Sequence, residues 1–348
     1  MMQNRNSMNR RKFLETTTAL AAGFAINPAS ALMASPQKGR VISVFHPRSV
    51  QAGRHISGPA VQQMLRQGLK ALTGDERPWS RWIHPGDQVG LKINTLGRPF
   101  LVTHPELIQA VIDELKEFGI KENRIIVWDR FEQHMRDARF VLNSTNQGVR
   151  YLATEGDRGG PMRLDEKASY RSVLDQEQER EAGSAVSRIS TIFTQECDKI
   201  INMAILKDHV ATGVTLCLKN LAFGITDNNN RFHGIDHVGP FIADICALPI
   251  VKKKVVLHIL DGLEGCFNNG PIPRSPSSFF TPQTIWLGND PVAVDSIGRG
   301  IIEDQRRAKG LPSLASLKKP VGYIELASTK GVGECNLDQI SIEKISIV

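Results

Sequence analysis

Lysine, histidine and aspartate recur in this chain where short apolar runs end. Lys92 and Asn94 follow Val89-Gly90-Leu91, and Asp129 follows Ile125-Ile126-Val127-Trp128. Lys207 and His209 lie beyond Lys199 to Met203, Asp261 closes Lys254 to Leu260, and Asp290 follows Thr284 to Leu287. An ammonium group binds carboxylate or phosphate as a point charge, and a desolvated one can act as a base or Schiff-base nucleophile. Imidazole moves protons near neutral pH or ligates metal. One aspartate at a strand end suits a helix or turn cap. The whole set predicts a shared pocket along the carboxyl edge of a sheet.

Within that pocket the residue types divide by role. Lys92, Asn94, Lys219 and Asn220 are the expected anion-binding groups. His209 would move a proton beside Lys207, which with Lys92 and Lys219 would also hold the anion; Asp129, Asp261 or Asp290 would orient the imidazole or coordinate metal, and Asp295 would stand near by. Lys219 with Asn220 could equally tie a helix to the sheet. His233 and His237 are four apart, the spacing that lets two ligands meet on one helix face. With His209 and one of Asp261, Asp290 or Asp295 they would form a divalent-metal site, suited alike to zinc, iron, manganese or nickel. Gly234 and Gly239 interrupt that segment, so a polar loop is the competing expectation. Asp290 before Pro291 also reads as an amino cap with proline at the first helical position, worth about 1 kcal/mol. The chain has no Gly-x-Ser-x-Gly elbow, phosphate loop or dinucleotide fingerprint.

Positioning these groups requires alternating strands and helices. Val41 to Phe45 and Val89 to Ile93 read as strands, with an amphipathic helix from Gly58 to Leu72 between them. Leu107, Ile108, Val111, Ile112, Leu115 and Phe118 form one helical face over Thr103 to Phe118, and Gly119 ends it. Ile125 to Trp128 is a strand buried on both faces, completing a parallel βαβ unit. Glu132 to Ser190 is polar and breaks the pattern, so it is expected to leave the sheet as an insertion. Helices then follow at Gly213 to Phe223, His237 to Leu248 and Pro291 to Lys309. Tyr323 to Ala327 and Ile340 to Ile347 are expected as edge strands. The predicted fold is α/β, a mixed, mostly parallel sheet with flanking helices and an inserted polar segment near 132–190.

Four ordered motifs resemble one family. Val89-Gly90-Leu91-Lys92-Ile93-Asn94 is similar to its first motif. Lys207-Asp208-His209, Gly213-x-Thr215 and Leu218-Lys219-Asn220 resemble the signature of the bacterial and archaeal family called domain of unknown function 362. Asp261-Gly262-Leu263-Glu264-Gly265 with Gly270-Pro271, and Gly288-x-Asp290-Pro291-Val292-Ala293-x-Asp295, resemble two further motifs. The resemblance implies an association with iron–sulfur proteins, and through it redox chemistry with a partner protein. The ferredoxin-type four-cysteine module fused to many members is absent here, so no cluster is expected in this chain.

Asn9-Arg10-Arg11-Lys12-Phe13-Leu14, the apolar run Ala19 to Ile26 and Ala29-Ser30-Ala31 read as a cleavable twin-arginine export signal over residues 1–34. Its partner would be the twin-arginine translocase, and residues 35–348 would act as one periplasmic or exported α/β domain. The chain has 43 Lys and Arg against 36 Asp and Glu. The signal holds four of those cations and one acid, leaving +4 on the remainder. So mild and scattered a charge indicates no nucleic-acid partner but suits a small anionic ligand. The five cysteines are too widely spaced for a zinc or cluster motif. The expected function is a metal- or cofactor-dependent enzyme acting on a small anionic molecule. The alternative is a non-catalytic protein that holds a ligand or cofactor for another enzyme.

Overall fold

Runs of Val, Ile and Leu buried along their whole length build the centre of one large sheet. The computed structural model describes residues 39–157, 159–171, 186–233, 235–317 and 322–348. The export segment and the charged run 175–181 lie outside the described residues. The main strands are β1 (Arg40–Phe45), β2 (Val89–Lys92), β3 (Ile125–Phe131), β4 (Arg150–Glu155), β5 (Lys199–His209), β6 (Val255–Cys266), β7 (Thr284–Gly288) and β8 (Ser341–Ser346). Their order is β8-β1-β7-β6-β5-β2-β3-β4. From β6 to β4 every neighbour is parallel. β7 runs against both β6 and β1, and β8 lies parallel to β1 at the edge. The sheet is therefore mixed but mostly parallel.

Helices cover both faces. On one, α1 (Gly58–Thr73) and α2 (Pro105–Phe118) bury Met64, Leu65, Leu69, Leu107, Val111 and Leu115 against the sheet. On the other lie α3 (Leu216–Gly224), α4 (Ile235–Ala247) and α5 (Pro291–Ala308), with Leu218, Leu221, Phe241, Ile245, Val294 and Ile302 in the core. From β2 the chain proceeds through α2 to β3 and β4, away in one direction. From β5 it proceeds through α3 and α4 to β6 and β7, in the other. Adjacent β2 and β5 thus mark a topological switch point, and a crevice opens beyond their carboxyl ends.

Three sequence expectations change. Tyr323 to Ala327 is a helix, Tyr323–Thr329, rather than an edge strand. Tyr323, Ile324 and Ala327 are buried at helical spacing, and the Tyr323 hydroxyl donates to the carbonyls of Val214 and Thr215. Residues 132–190 are not wholly an excursion. β4 lies within them and extends the sheet beside β3, while Leu164–Arg171 and Val186–Ser190 pair as a separate hairpin. β4 reads Arg-Tyr-Leu-Ala-Thr-Glu, too polar and edge-like for an apolar-run criterion. Finally, β5 and β6 continue through Lys207 and Asp261, so these residues lie inside strands rather than beyond them.

Asp290 is the amino cap of α5: its Oδ1 accepts from the amides of Val292 and Ala293, and its Oδ2 from that of Glu334. Replacing Asp290 with Ala should lower stability by about 1–2 kcal/mol in urea denaturation, and Asp290→Asn should recover most of it.

Candidate functional site

Beyond β2 and β5 lies a cavity of about 360 Å³ whose lining includes Asn94, Arg130, His134, His209, Lys219 and Phe223. Beneath it is a buried polar network. The Lys92 Nζ donates to the Ile93 carbonyl at 2.6 Å, Asp129 Oδ1 at 2.7 Å and Asn220 Oδ1 at 3.3 Å. Three acceptors match the three protons of an ammonium group. Asp129 Oδ2 accepts from the Thr95 amide at 2.7 Å and the Thr95 hydroxyl at 2.6 Å. Burial works against its charge, but Lys92 and then Thr95 hold the carboxyl below the ordinary range. Gly224 makes room for this pair, because a Cβ there would lie 2.4 Å from the Lys92 Cε and Nζ.

Asn220, on α3, joins the strands. Its Oδ1 also accepts from Asn94 Nδ2 at 3.0 Å, and its Nδ2 donates to Asn202 Oδ1 at 2.7 Å. Asn202 Nδ2 in turn donates to the Cys217 carbonyl at 3.0 Å and faces His258 Nδ1 at 3.1 Å. Burial pushes the His258 pKa down to about 3, so its ring is neutral. Lys207 Nζ donates to Asn94 Oδ1 at 2.7 Å, a neutral acceptor. Burial lowers Lys207 from 10.5 to about 7, only partly opposed by Asp129, Cys266 and Asp208.

Lys219 projects from α3 toward His209 at the end of β5. Its Nζ lies 2.8 Å from His209 Nε2, 3.2 Å from Thr212 Oγ1 and 4.7 Å from the Phe223 ring centroid. Burial, and then the charge of Lys207, hold its pKa well below the usual lysine value. His233 stacks on His209 with ring centroids 6.1 Å apart and meets the edge of Phe223 at 4.8 Å. Its pKa is lowered, chiefly by burial and next by Lys219. His134 is pushed down to about 4 by burial, with Arg98 adding to the effect. Arg130 is held by Glu155 and Asn229 and stands 4.4 Å over the Phe131 ring. The start of α3 is set by Leu216, at φ +49°, which turns the amides of Cys217 and Leu218 onto Asp295 at 2.7 and 2.9 Å.

The structure therefore gathers Lys92, Asn94, Asp129, Lys207, His209, Lys219, Asn220 and His233. It places four expected site residues elsewhere. Asp261 accepts from the His104 amide at 2.8 Å and pairs with His104 Nδ1 at 2.8 Å. Burial opposes charge on His104, but Asp261 and then Glu264 raise its pKa to about 10. This cluster borders a separate cleft of about 640 Å³, with Arg54 on Glu264. Asp290 caps α5 and Asp295 anchors α3, while the ring of His237 is not among the crevice lining. Among the described residues no three His, Cys, Asp or Glu side chains are placed to hold a metal ion, so the expected set of His209, His233, His237 and an aspartate is not assembled. Lys92 has its three acceptors within the protein, the Asp129 carboxylate among them.

Arg130, His134, Asn202, Thr212 and Phe223 were not anticipated. Arg130 could have been found, since it directly follows Asp129 at a strand end. Asn202 gives no signal, because a polar residue inside a central strand has meaning only once its neighbours are known.

The fold is an open, mostly parallel α/β sheet with a polar crevice at its switch point. Residues 89–299 match the model of the family described as domain of unknown function (DUF362), and the chain belongs to that family. A structural-genomics crystal structure of a Thermotoga maritima protein is similar at a TM-score of 0.40 and 13% identity. The match covers 78% of this chain and 60% of that protein, less than two thirds of its length. No curated protein matches the sequence.

Lys92→Met would leave Asp129 buried without its cation and should cost about 3–5 kcal/mol in chemical denaturation, with much of it recovered on adding Asp129→Leu. Lys207 gives a second check. Between pH 7 and 10.5 the unfolded chain holds more protons at this group than the folded one, so its contribution makes stability rise with pH across that window. Below about 7 the penalty is fully present. Thermal unfolding of Lys207→Met should lose this part of the slope.

Proposed function

We propose that the switch-point crevice binds and acts on a small anionic molecule, and that the protein does so outside the cytoplasm after export by the twin-arginine translocase. One observation carries the ligand assignment. Lys207 and Lys219 are both buried, yet among the described residues neither has a carboxylate at hydrogen-bond distance. Burial without a counter-charge holds such amines toward the neutral form, and a bound anion supplies the charge that favours protonated Lys207. Arg130 adds a fixed guanidinium at the cavity wall. A cavity of about 360 Å³ suits a small molecule rather than a polymer. His209 and Lys219 would then handle protons at the bound molecule. Among the described residues His209, His233, His237 and Asp290 do not converge on a divalent-metal site. Redox chemistry with a partner protein has only the family resemblance behind it. A non-catalytic ligand carrier is favoured by one detail: His209 Nδ1 takes the Ala211 amide at 3.0 Å, and Asp261, expected to orient this ring, pairs with His104 instead.

Titration calorimetry of the full chain with inorganic phosphate and with oxalate tests the proposal. Binding should consume protons and strengthen as pH falls through about 7, because the anion favours protonated Lys207. Arg130→Gln should weaken it roughly tenfold, about 1.4 kcal/mol. Absence of millimolar binding, or an affinity for oxalate independent of pH as the pH falls through about 7, would refute it. For the export address, Arg10→Lys with Arg11→Lys should leave the protein in the cytoplasmic fraction by immunoblot, where the unaltered chain is found outside it.

A further inference from the structure

The hydrogen bonds around Lys219 have a polarity that ordinary lysine pairs lack. The Ala211 amide donates to His209 Nδ1 at 3.0 Å, so that nitrogen carries no proton. A neutral imidazole with an accepting Nδ1 bears its proton on Nε2. It is Nε2 that faces Lys219 Nζ at 2.8 Å. An ammonium has no lone pair, so two donors would then oppose each other. A neutral amine resolves this by accepting the Nε2 proton. One of its two hydrogens then reaches Thr212 Oγ1 at 3.2 Å, and the Thr212 hydroxyl donates onward to the Val214 carbonyl at 2.9 Å. Lys92, bonded to Asn220, the residue next to Lys219, shows the opposite arrangement of three oxygen acceptors. The burial that depresses the pKa of Lys219 agrees with this assignment.

We propose that Lys219 is a nucleophilic amine that condenses with the carbonyl of a small anionic aldehyde or 2-oxo acid, the Lys219–His209–Thr212 arrangement holding it in the free-base form. This rests on the crevice being the anion site proposed above and names its substrate class. The Nζ lone pair attacks the carbonyl carbon, and the C=O π pair moves to oxygen. His209 Nε2–H protonates that oxygen, and the vacated Nε2 takes a proton from the new ammonium, giving a carbinolamine. Loss of water then gives the imine, so that amine and carbonyl are converted to imine and water with no change in oxidation state. Thr215, the residue just before α3 and four before Lys219, has a buried hydroxyl that lines the crevice and has no hydrogen-bond partner among the described residues. It is placed to hold the hydroxyl of the carbinolamine. Arg130 at the wall and Lys207 behind Asn94 supply the charge that orients the carboxylate of such a substrate.

The test is reductive trapping on the full chain. Protein is incubated with glyoxylate or pyruvate at neutral pH, treated with borohydride, digested and mapped by mass spectrometry. A single reduced adduct on Lys219, far above the level at exposed lysines, is the expected result, and oxalate should suppress it by competition. Mapping is done on the unaltered chain, so it does not depend on a variant that folds. Lys219→Arg should abolish the adduct. His209→Gln should slow it at least tenfold and shift its pH profile upward, which a merely structural histidine would not do. Calorimetric binding of phosphate or oxalate without any adduct on Lys219 would overturn the nucleophile and leave the anion site standing. Adducts spread over exposed lysines alone would overturn it equally. Failure of both anion binding and trapping would remove both assignments.

Discussion

A buried ammonium must meet as many acceptors as it has protons, and the way Lys92 does so organises this protein. Its three partners come from three places: the backbone just after β2, the end of β3, and α3. Satisfying one side chain therefore fixes the spacing of two neighbouring strands and the helix laid across them. Gly224 is part of the same constraint, since any side chain there would occupy the volume of the Lys92 amine. A half-satisfied version would be worse than an apolar core, which makes the arrangement close to all-or-none.

From that fixed point the rest of the crevice follows. Asn220 relays the geometry to Asn94 and Asn202, and through Asn94 to Lys207. Asp295 holds the first amides of α3, so Lys219, one turn later, is aimed at the end of β5 rather than at solvent. The contrast between the lysines is chemical. Lys92 is matched by a carboxylate and two carbonyl oxygens, whereas among the described residues the hydrogen-bond partners of Lys207 and Lys219 are an amide, an imidazole and a hydroxyl. His104, by comparison, sits between Asp261 and Glu264 with Arg54 beyond, a closed set of charges.

Most of the fold was legible because its strands are continuous apolar runs and its helices have apolar residues at gaps of three and four. The failures share a cause. β4 is an edge strand whose ends are only partly buried, and its polar sequence resembles the loop around it. Tyr323 to Ala327 is short enough to fit either period, and only its packing in the core shared with α4 decided for a helix. In the site, strand-end position brought Lys92, Asn94, Asp129, Lys207 and His209 to one edge. It could not separate Asp261, because successive side chains of a strand point to opposite faces and one residue decides the side. Asp261 reached His104 at the start of α2 and not the crevice.

The residues by themselves determined the family, the α/β layering and the row of polar groups at the carboxyl ends of the strands, because each depends on local order along the chain. Tertiary structure alone decided which of those groups meet: Lys92 with Asp129, Lys219 with His209, Asp261 with His104. Hydrogen-bond polarity and burial are properties of pairs brought together across distant segments, and no segment carries them alone.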